Sequence, residues 1–291
     1  MSRHALRERS RLDQGATRYL DRSTLRMTRD QDAWGGSSFA TQLLVLSGRS
    51  LRYAFSDYRL VLVALLQPVV ILLLFSQVFA AVGTMPGVAE YDGYINYLMP
   101  ATLVMIALTT AVSSGVAVLM EIYTGFIGRL RTMPINLLAV LFARTVADAV
   151  RLAVQLVAAA ATAVWLLDFQ PAGPWQLAAG VALSVAVGWG LSWVFVALAT
   201  WQSKPELMQA ATFVVMFPLM FGSSAYLPLE SMPTWIRIVS AINPMTYAID
   251  AVRALTLGHP VGSALIAALG LVAAAAFLGA TAAKHLFART H

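Results

Sequence analysis

The sequence predicts an all-α membrane protein with six transmembrane helices. An amphipathic interfacial helix precedes them, and an outer re-entrant helical hairpin lies between the fifth and sixth spans. Three observations carry this prediction. Of the 291 residues, 59% are hydrophobic and only 12% are charged. Soluble domains carry about 25% charged residues, and a water-soluble core of this size could not hide so much apolar surface. Six stretches each supply the roughly 20 apolar residues that a helix needs to cross the hydrocarbon. The short loops between these stretches alternate between basic and base-free.

Residues 1–38 are polar, rich in arginine and closed by Gly35, Gly36, Ser37 and Ser38. Their composition predicts a disordered tail. Of the 20 basic residues, 11 precede residue 60. Such a run suits nucleic acid or a cytoplasmic membrane flank. The apolar remainder favours the flank, so no nucleic-acid partner is expected. The first strongly apolar run begins near residue 60, too late and too long for a signal peptide. Over 39–58, apolar or small side chains recur at helical spacing through Ala40, Leu43, Leu44, Ser47, Leu51, Ala54, Phe55 and Tyr58. Arg49, Arg52 and Asp57 fall elsewhere, which fits a helix lying on the inner membrane surface.

Residues 59–283 form the six-span domain, with spans at about 60–82, 95–119, 138–167, 176–200, 207–228 and 261–283. Pro68 should kink the first span. The loops at 83–94 and 168–175 contain no Lys or Arg, whereas 120–137 has Arg129 and Arg131, 201–206 has Lys204, and the 284–291 tail has Lys284 and Arg289. With the N-terminus inside, six crossings place every basic short loop and both termini in the cytoplasm. Residues 229–257 are apolar but broken by Glu230, Pro233, Arg237, Pro244, Asp250 and Arg253. A crossing there would reverse the parity. Two short interfacial or re-entrant helices on the outer face preserve it, provided protein covers their backbone.

No residue pattern points to catalysis. The chain has no cysteine, and so no disulfide, thiolate metal site or cysteine nucleophile. Lys204 and Lys284 do not follow a glycine, so no phosphate-cradling P-loop is present. His4, His259, His285 and His291 lack metal-ligand spacing, and no metal is assigned. No GxSxG elbow occurs. Arg144, Asp148, Arg151 and Gln155 share one face of the third span. They could serve as a relay, since ions inside a membrane often mark function. The plainer reading places them in its first cytoplasmic turns, paired with one another. Apart from them, the spans carry few ions, which argues against an ion-coupled carrier.

The inner stretch from Glu121 through Tyr123, Thr124, Gly125, Phe126, Ile127, Arg129, Leu130, Arg131, Thr132 and Met133 to Pro134 and Ile135 stands apart. An acid ends a span, a glycine turn follows, and a short amphipathic segment runs until a proline. Such a segment docks into a groove on a soluble partner or simply connects two spans. This stretch resembles the signature loop of type-2 ATP-binding-cassette export permeases, and most of all the daunorubicin/doxorubicin-resistance permeases. Gly125, Phe126, Arg129, Arg131, Thr132, Met133, Pro134 and Ile135 carry the likeness. Met232, Pro233, Trp235 and Ile236, followed by Asn243, Pro244, Met245, Thr246 and Tyr247, resemble the family's outer hairpin. The amphipathic helix before a proline-containing first span is the third likeness.

The resemblance covers about residues 40–283 and implies a bacterial cytoplasmic-membrane permease rather than an enzyme. Two permease chains, identical or related, would enclose a pathway among membrane lipids for an amphipathic or lipidic molecule. Separate ATPase subunits would bind ATP and magnesium, with no cofactor on this chain. Glu121, Thr124, Gly125, Phe126, Arg129, Arg131, Met133 and Pro134 would couple to the ATPase, with Lys204 and Glu206 as a smaller second contact. Cargo candidates are Asn96, Met99, Thr102 and Met105 on the second span, and Phe213, Met216, Phe217 and Met220 on the fifth. The Met and Phe side chains offer adaptable contacts, though the same stripe suits plain packing. Ser113, Ser114 and Gly115 are small enough for a protomer interface. A membrane-embedded lipid-modifying enzyme or an assembly scaffold is the competing reading.

Overall fold

The computed structural model describes residues 45, 47, 48, 52, 58–78, 81, 83, 85, 87–125, 137–201 and 204–289. The chain divides into two units, Met1–Thr41 and Gln42–His291, and every described helix belongs to the second. The expected tail over 1–38 lies outside the described residues. Within 39–58, the described residues are Val45, Ser47, Gly48, Arg52 and Tyr58, all helical.

Eight α-helices are described: α1 Tyr58–Val78, α2 Tyr94–Tyr123, α3 Leu137–Leu166, α4 Pro174–Trp201, α5 Pro205–Phe221, α6 Thr234–Ile242, α7 Pro244–Leu257 and α8 Gly262–Arg289. Short 3₁₀ turns occupy Ala89–Tyr91 and Leu229–Ser231. Four helices are long and apolar enough to cross a membrane: α2, α3 from Val140, α4, and α8 as far as Lys284. The chain is therefore a multi-pass membrane protein. The apolar helices α1 and α5 are shorter, at 21 and 17 residues.

Helix α4 is the hub, packing against α2, α3, α7 and α8. Its residues are apolar or small on every side, the composition expected of a helix buried all round. Lipid tails give little hydrophobic drive for helix association, so close approach of small residues takes its place. At Gly188, a Cβ would stand 2.4 Å from Leu152 of α3 and 3.1 Å from Ala107 of α2. At Gly279 of α8, it would stand 2.4 Å from the Trp193 backbone. The exposed Trp165 and Trp175 mark the ends of α3 and α4 that meet at the 167–173 loop, and Trp201 marks the far end of α4, the positions of an aromatic belt.

Several boundaries differ from expectation. Helix α5 stops at Phe221, not near 228. Pro218 lies in its last turn, and the Gly222 amide closes on the Pro218 carbonyl at 2.9 Å. Helix α8 runs on to Arg289, past the expected end of the last span near 283. The broken stretch 229–257 folds as a 3₁₀ turn and two helices joined at Asn243. Helix α7 packs on α2, α4 and α8, whereas α6 leaves Trp235, Ile238, Val239 and Ile242 exposed.

Candidate functional site

A cavity of about 340 Å³ opens between α1, α2 and α3. Its apolar part is lined by Pro68, Ile71, Leu72 and Phe75 of α1, Leu98 and Met105 of α2, Met220 of α5 and Tyr226. Its polar part combines Thr109, Thr110, Ser113 and Ser114 of α2 with Arg144, Asp148, Arg151 and Gln155 of α3. Helix geometry produces this division. Residues spaced by three and four share a face, and α3 turns that face toward α2.

The polar residues bond across helices. Arg144 pairs with Glu121 at the end of α2. Its Nε lies 3.9 Å from Asp148. Ser114 donates to Asp148 at 2.5 Å, and Thr110 donates to the Gln155 carbonyl oxygen at 3.2 Å. The first-turn reading of this stripe needs correction, because Gln155 sits about 27 Å up α3 at 1.5 Å per residue. The stripe thus climbs from the N-terminal part of the helix past its middle.

Beyond the cavity, an arginine sits in the interior. Arg253 of α7 is 4% exposed. It pairs with Asp250 at 2.8 Å, donates to the carbonyls of Ser224 and Tyr97 at 2.9 and 3.3 Å, and stands 3.9 Å from the Tyr97 ring centroid. Tyr97 in turn donates to the Ser224 carbonyl at 2.7 Å, and Ser224 donates to Asp250 at 2.8 Å. This network joins α2, the turn after α5, and α7. A buried arginine requires such partners. By sequence, Asp250 and Arg253 register only as interruptions of an apolar stretch. Their i,i+3 spacing hints at a pair, but Tyr97 and Ser224 are too remote in sequence to be found by pattern.

The residues expected to form an outer hairpin have structural tasks. The Asn243 side-chain amide donates to the carbonyls of Gly222, Leu219 and Pro218 at 2.7, 3.0 and 3.3 Å. Its oxygen accepts from the Met245 amide at 2.9 Å, capping α7. Pro244 fills the first position of α7, where a missing N–H does no harm. Pro233 precedes α6, and the Trp235 side chain is exposed. Arg237 clasps the preceding turn through the carbonyls of Leu229 and Glu230, both at 3.1 Å.

The cargo candidates divide. Met105 and Met220 line the cavity, as does Thr102. Met99 is fully buried in the helix core. Asn96 ties loops together, donating to the Tyr91 carbonyl at 2.9 Å and accepting from the Gln170 amide at 3.0 Å. Phe213 and Phe217 point outward from α5, exposed, while Met216 is half-buried against the core. Ser113 does line the cavity. Gly115, expected at a protomer interface, instead lets α2 meet α4 within the chain. A Cβ there would lie 2.6 Å from Phe195, which leaves this glycine no surface to offer. Ser114 is likewise committed to Asp148.

Just past Tyr123, the last residue of α2, Thr124 and Gly125 are exposed, with Gly125 at φ +70°. That left-handed turn suits glycine. Phe126, Arg129, Arg131, Met133 and Pro134 lie outside the described residues. Lys204 and Glu206 stand at the start of α5, with Pro205 between them and Lys204 exposed.

The family profile described as ABC-2 type transporter matches residues 41–257, from before α1 to the end of α7. The daunorubicin resistance ABC transporter permease protein DrrB1 of Streptomyces coeruleorubidus is 31% identical over 216 residues, 72% of this chain and 74% of that protein. The probable doxorubicin resistance ABC transporter permease protein DrrC of Mycobacterium tuberculosis is 25% identical over 237 residues, 79% of this chain and 82% of that protein. The putative transport permease ycf38 of Cyanophora paradoxa is 28% identical over 193 residues, 66% of each chain.

Proposed function

We propose a function from one premise: the chain belongs to the ABC-2 type transporter family. It is the permease subunit of an ABC exporter, and its relatives carry the names of drug-resistance permeases. ATP and magnesium bind a separate ATPase chain. A second permease, identical or related, completes the pathway. The cargo is an amphipathic or lipidic molecule, a drug, polyketide or complex lipid, moved out of the cytoplasm or the inner leaflet of a bacterial cytoplasmic membrane.

In this reading α1 and α5 join the four longer helices as spans, giving six crossings with both termini inside. Alternate basic loops support that parity. Helices α6 and α7 form the outer hairpin. The stretch from Glu121 to Pro134, including Phe126, Arg129, Arg131 and Met133, contacts the ATPase, with Lys204 and Glu206 as a second contact.

The observation that carries the mechanism is the pairing of Glu121 with Arg144. Glu121 begins the coupling stretch, and Arg144 lines the cavity. When the ATPase closes on ATP and shifts the stretch, the pull passes through this pair to Asp148 and Ser114. Helices α2 and α3 then move relative to one another, and the cavity between them changes shape. Coupling of this kind requires an element with two arrangements that both sites bias.

The test replaces Phe126 and Arg129 with alanine in the full chain, expressed with its ATPase. The proposal expects normal membrane insertion and loss of ATPase association. Full coupled transport by this variant would refute the assignment.

A further inference from the structure

We infer that the cavity is a binding site for amphiphiles with an anionic head group, held by Arg151. The inference rests on the exporter reading and names the class of molecule that the exporter takes. Arg151 falls at the middle of α3, fourteen residues after its first residue and fifteen before its last. Among the described residues, no ion pair or hydrogen bond reaches it. Its neighbours in the stripe are already engaged. Arg144 pairs with Glu121, Asp148 accepts from Ser114, and Gln155 accepts from Thr110. Arg144 also lies 3.9 Å from Asp148, so of the three charged side chains that line the cavity Arg151 is the one in no ion pair among the described residues.

A cation half-way along a spanning helix is costly unless something neutralises it. A guanidinium also presents a planar fork of donors that matches phosphate and carboxylate oxygens. Gln155, one turn further along, offers an amide group beside it. The rest of the cavity suits the other half of such a molecule. Ile71, Leu72, Phe75 and Met220 line it, and Met and Phe adapt to alkyl or ring systems of varied shape. The cavity volume of about 340 Å³ falls within the usual range for small-molecule sites. An anionic head beside Arg151, with its apolar body against α1, leaves neither charge nor hydrocarbon misplaced.

The test uses the full chain with its ATPase in nanodiscs of neutral phosphatidylcholine. Binding of fluorescent hexadecyl phosphate is measured, with displacement by neutral hexadecyl maltoside and by cationic hexadecyltrimethylammonium. The inference expects hexadecyl phosphate to bind more tightly than either competitor. Arg151→Gln should weaken it about tenfold or more, the loss of a charge-assisted hydrogen bond, while leaving the maltoside unchanged. Arg151→Lys should restore part of the difference. Equal binding of all three amphiphiles, or tighter binding of the cation, would overturn the inference. So would an Arg151→Gln variant that retains full affinity. A resident phospholipid and an exported molecule share the same head-group chemistry. Faster ATP turnover with hexadecyl phosphate identifies cargo, and binding without that response identifies a lipid site. If no ATPase accompanies the chain, the exporter reading fails while the binding result still decides the anion site.

Discussion

Asn243 offers a perturbation whose size can be worked from four bonds. Its side-chain amide donates to three carbonyls around the end of α5, and its oxygen caps α7. Replacing an N-cap by alanine costs about 1 kcal/mol. Leaving a buried carbonyl without a donor costs about 1–3 kcal/mol. At least the Gly222 carbonyl, at 2.7 Å the tightest of the three, loses its partner, so Asn243→Ala should destabilise the fold by about 2–4 kcal/mol. At roughly 2 °C per kcal/mol for a chain of this size, the unfolding midpoint in detergent falls by about 4–8 °C. Asn243→Asp is the sharper variant. It keeps the capping oxygen and the shape but cannot donate, and it sets a carboxylate against three carbonyl oxygens. It should therefore be no more stable than alanine. The assay is a thermal ramp followed by size-exclusion chromatography of the monodisperse fraction. An aspartate variant as stable as the parent, or an alanine variant within about 1 °C of it, would refute the account of this motif.

Other contacts yield further expected outcomes. Glu121→Arg should leave the melting midpoint nearly unchanged, since a part-exposed pair contributes at most about 1 kcal/mol, yet uncouple ATP turnover from transport. Combining it with Arg144→Glu should restore part of the coupling, measured in proteoliposomes. Gly279→Ala should destabilise by about 1–3 kcal/mol through overpacking against the Trp193 backbone. Gly270→Ala, where a Cβ meets nothing within 4 Å, should be neutral or slightly stabilising by helix propensity, and a thermal melt separates the two. Because the chain has no cysteine, Trp235→Cys and Lys204→Cys report topology cleanly. An impermeant maleimide should label the first in intact cells and the second only after permeabilisation.

The helices were legible because crossing a bilayer demands length and apolarity, and both are written locally. The pair α6 and α7 was legible because prolines and charges broke an otherwise apolar stretch. Helix ends were less so. The stop of α5 at Phe221 depends on Asn243, which takes up the carbonyls of that last turn from more than twenty residues away. The site was legible only in part. The stripe from Arg144 to Gln155 showed its shared face, but its depth and its partners Glu121, Ser114 and Thr110 come from tertiary packing. Met99 and Gly115 escape a sequence reading for one reason: α2 is covered on most sides, so a side chain on it is more often packed than presented to cargo. Arg253 escapes it because its binding network draws on residues more than 150 positions apart.

The most direct measurement is affinity purification of the tagged full-length chain from its native cells, followed by an ATP-turnover assay on the purified material. The account predicts a co-purifying ATPase subunit and vanadate-sensitive hydrolysis. A chain that emerges alone and ATP-silent, even after crosslinking, would contradict it.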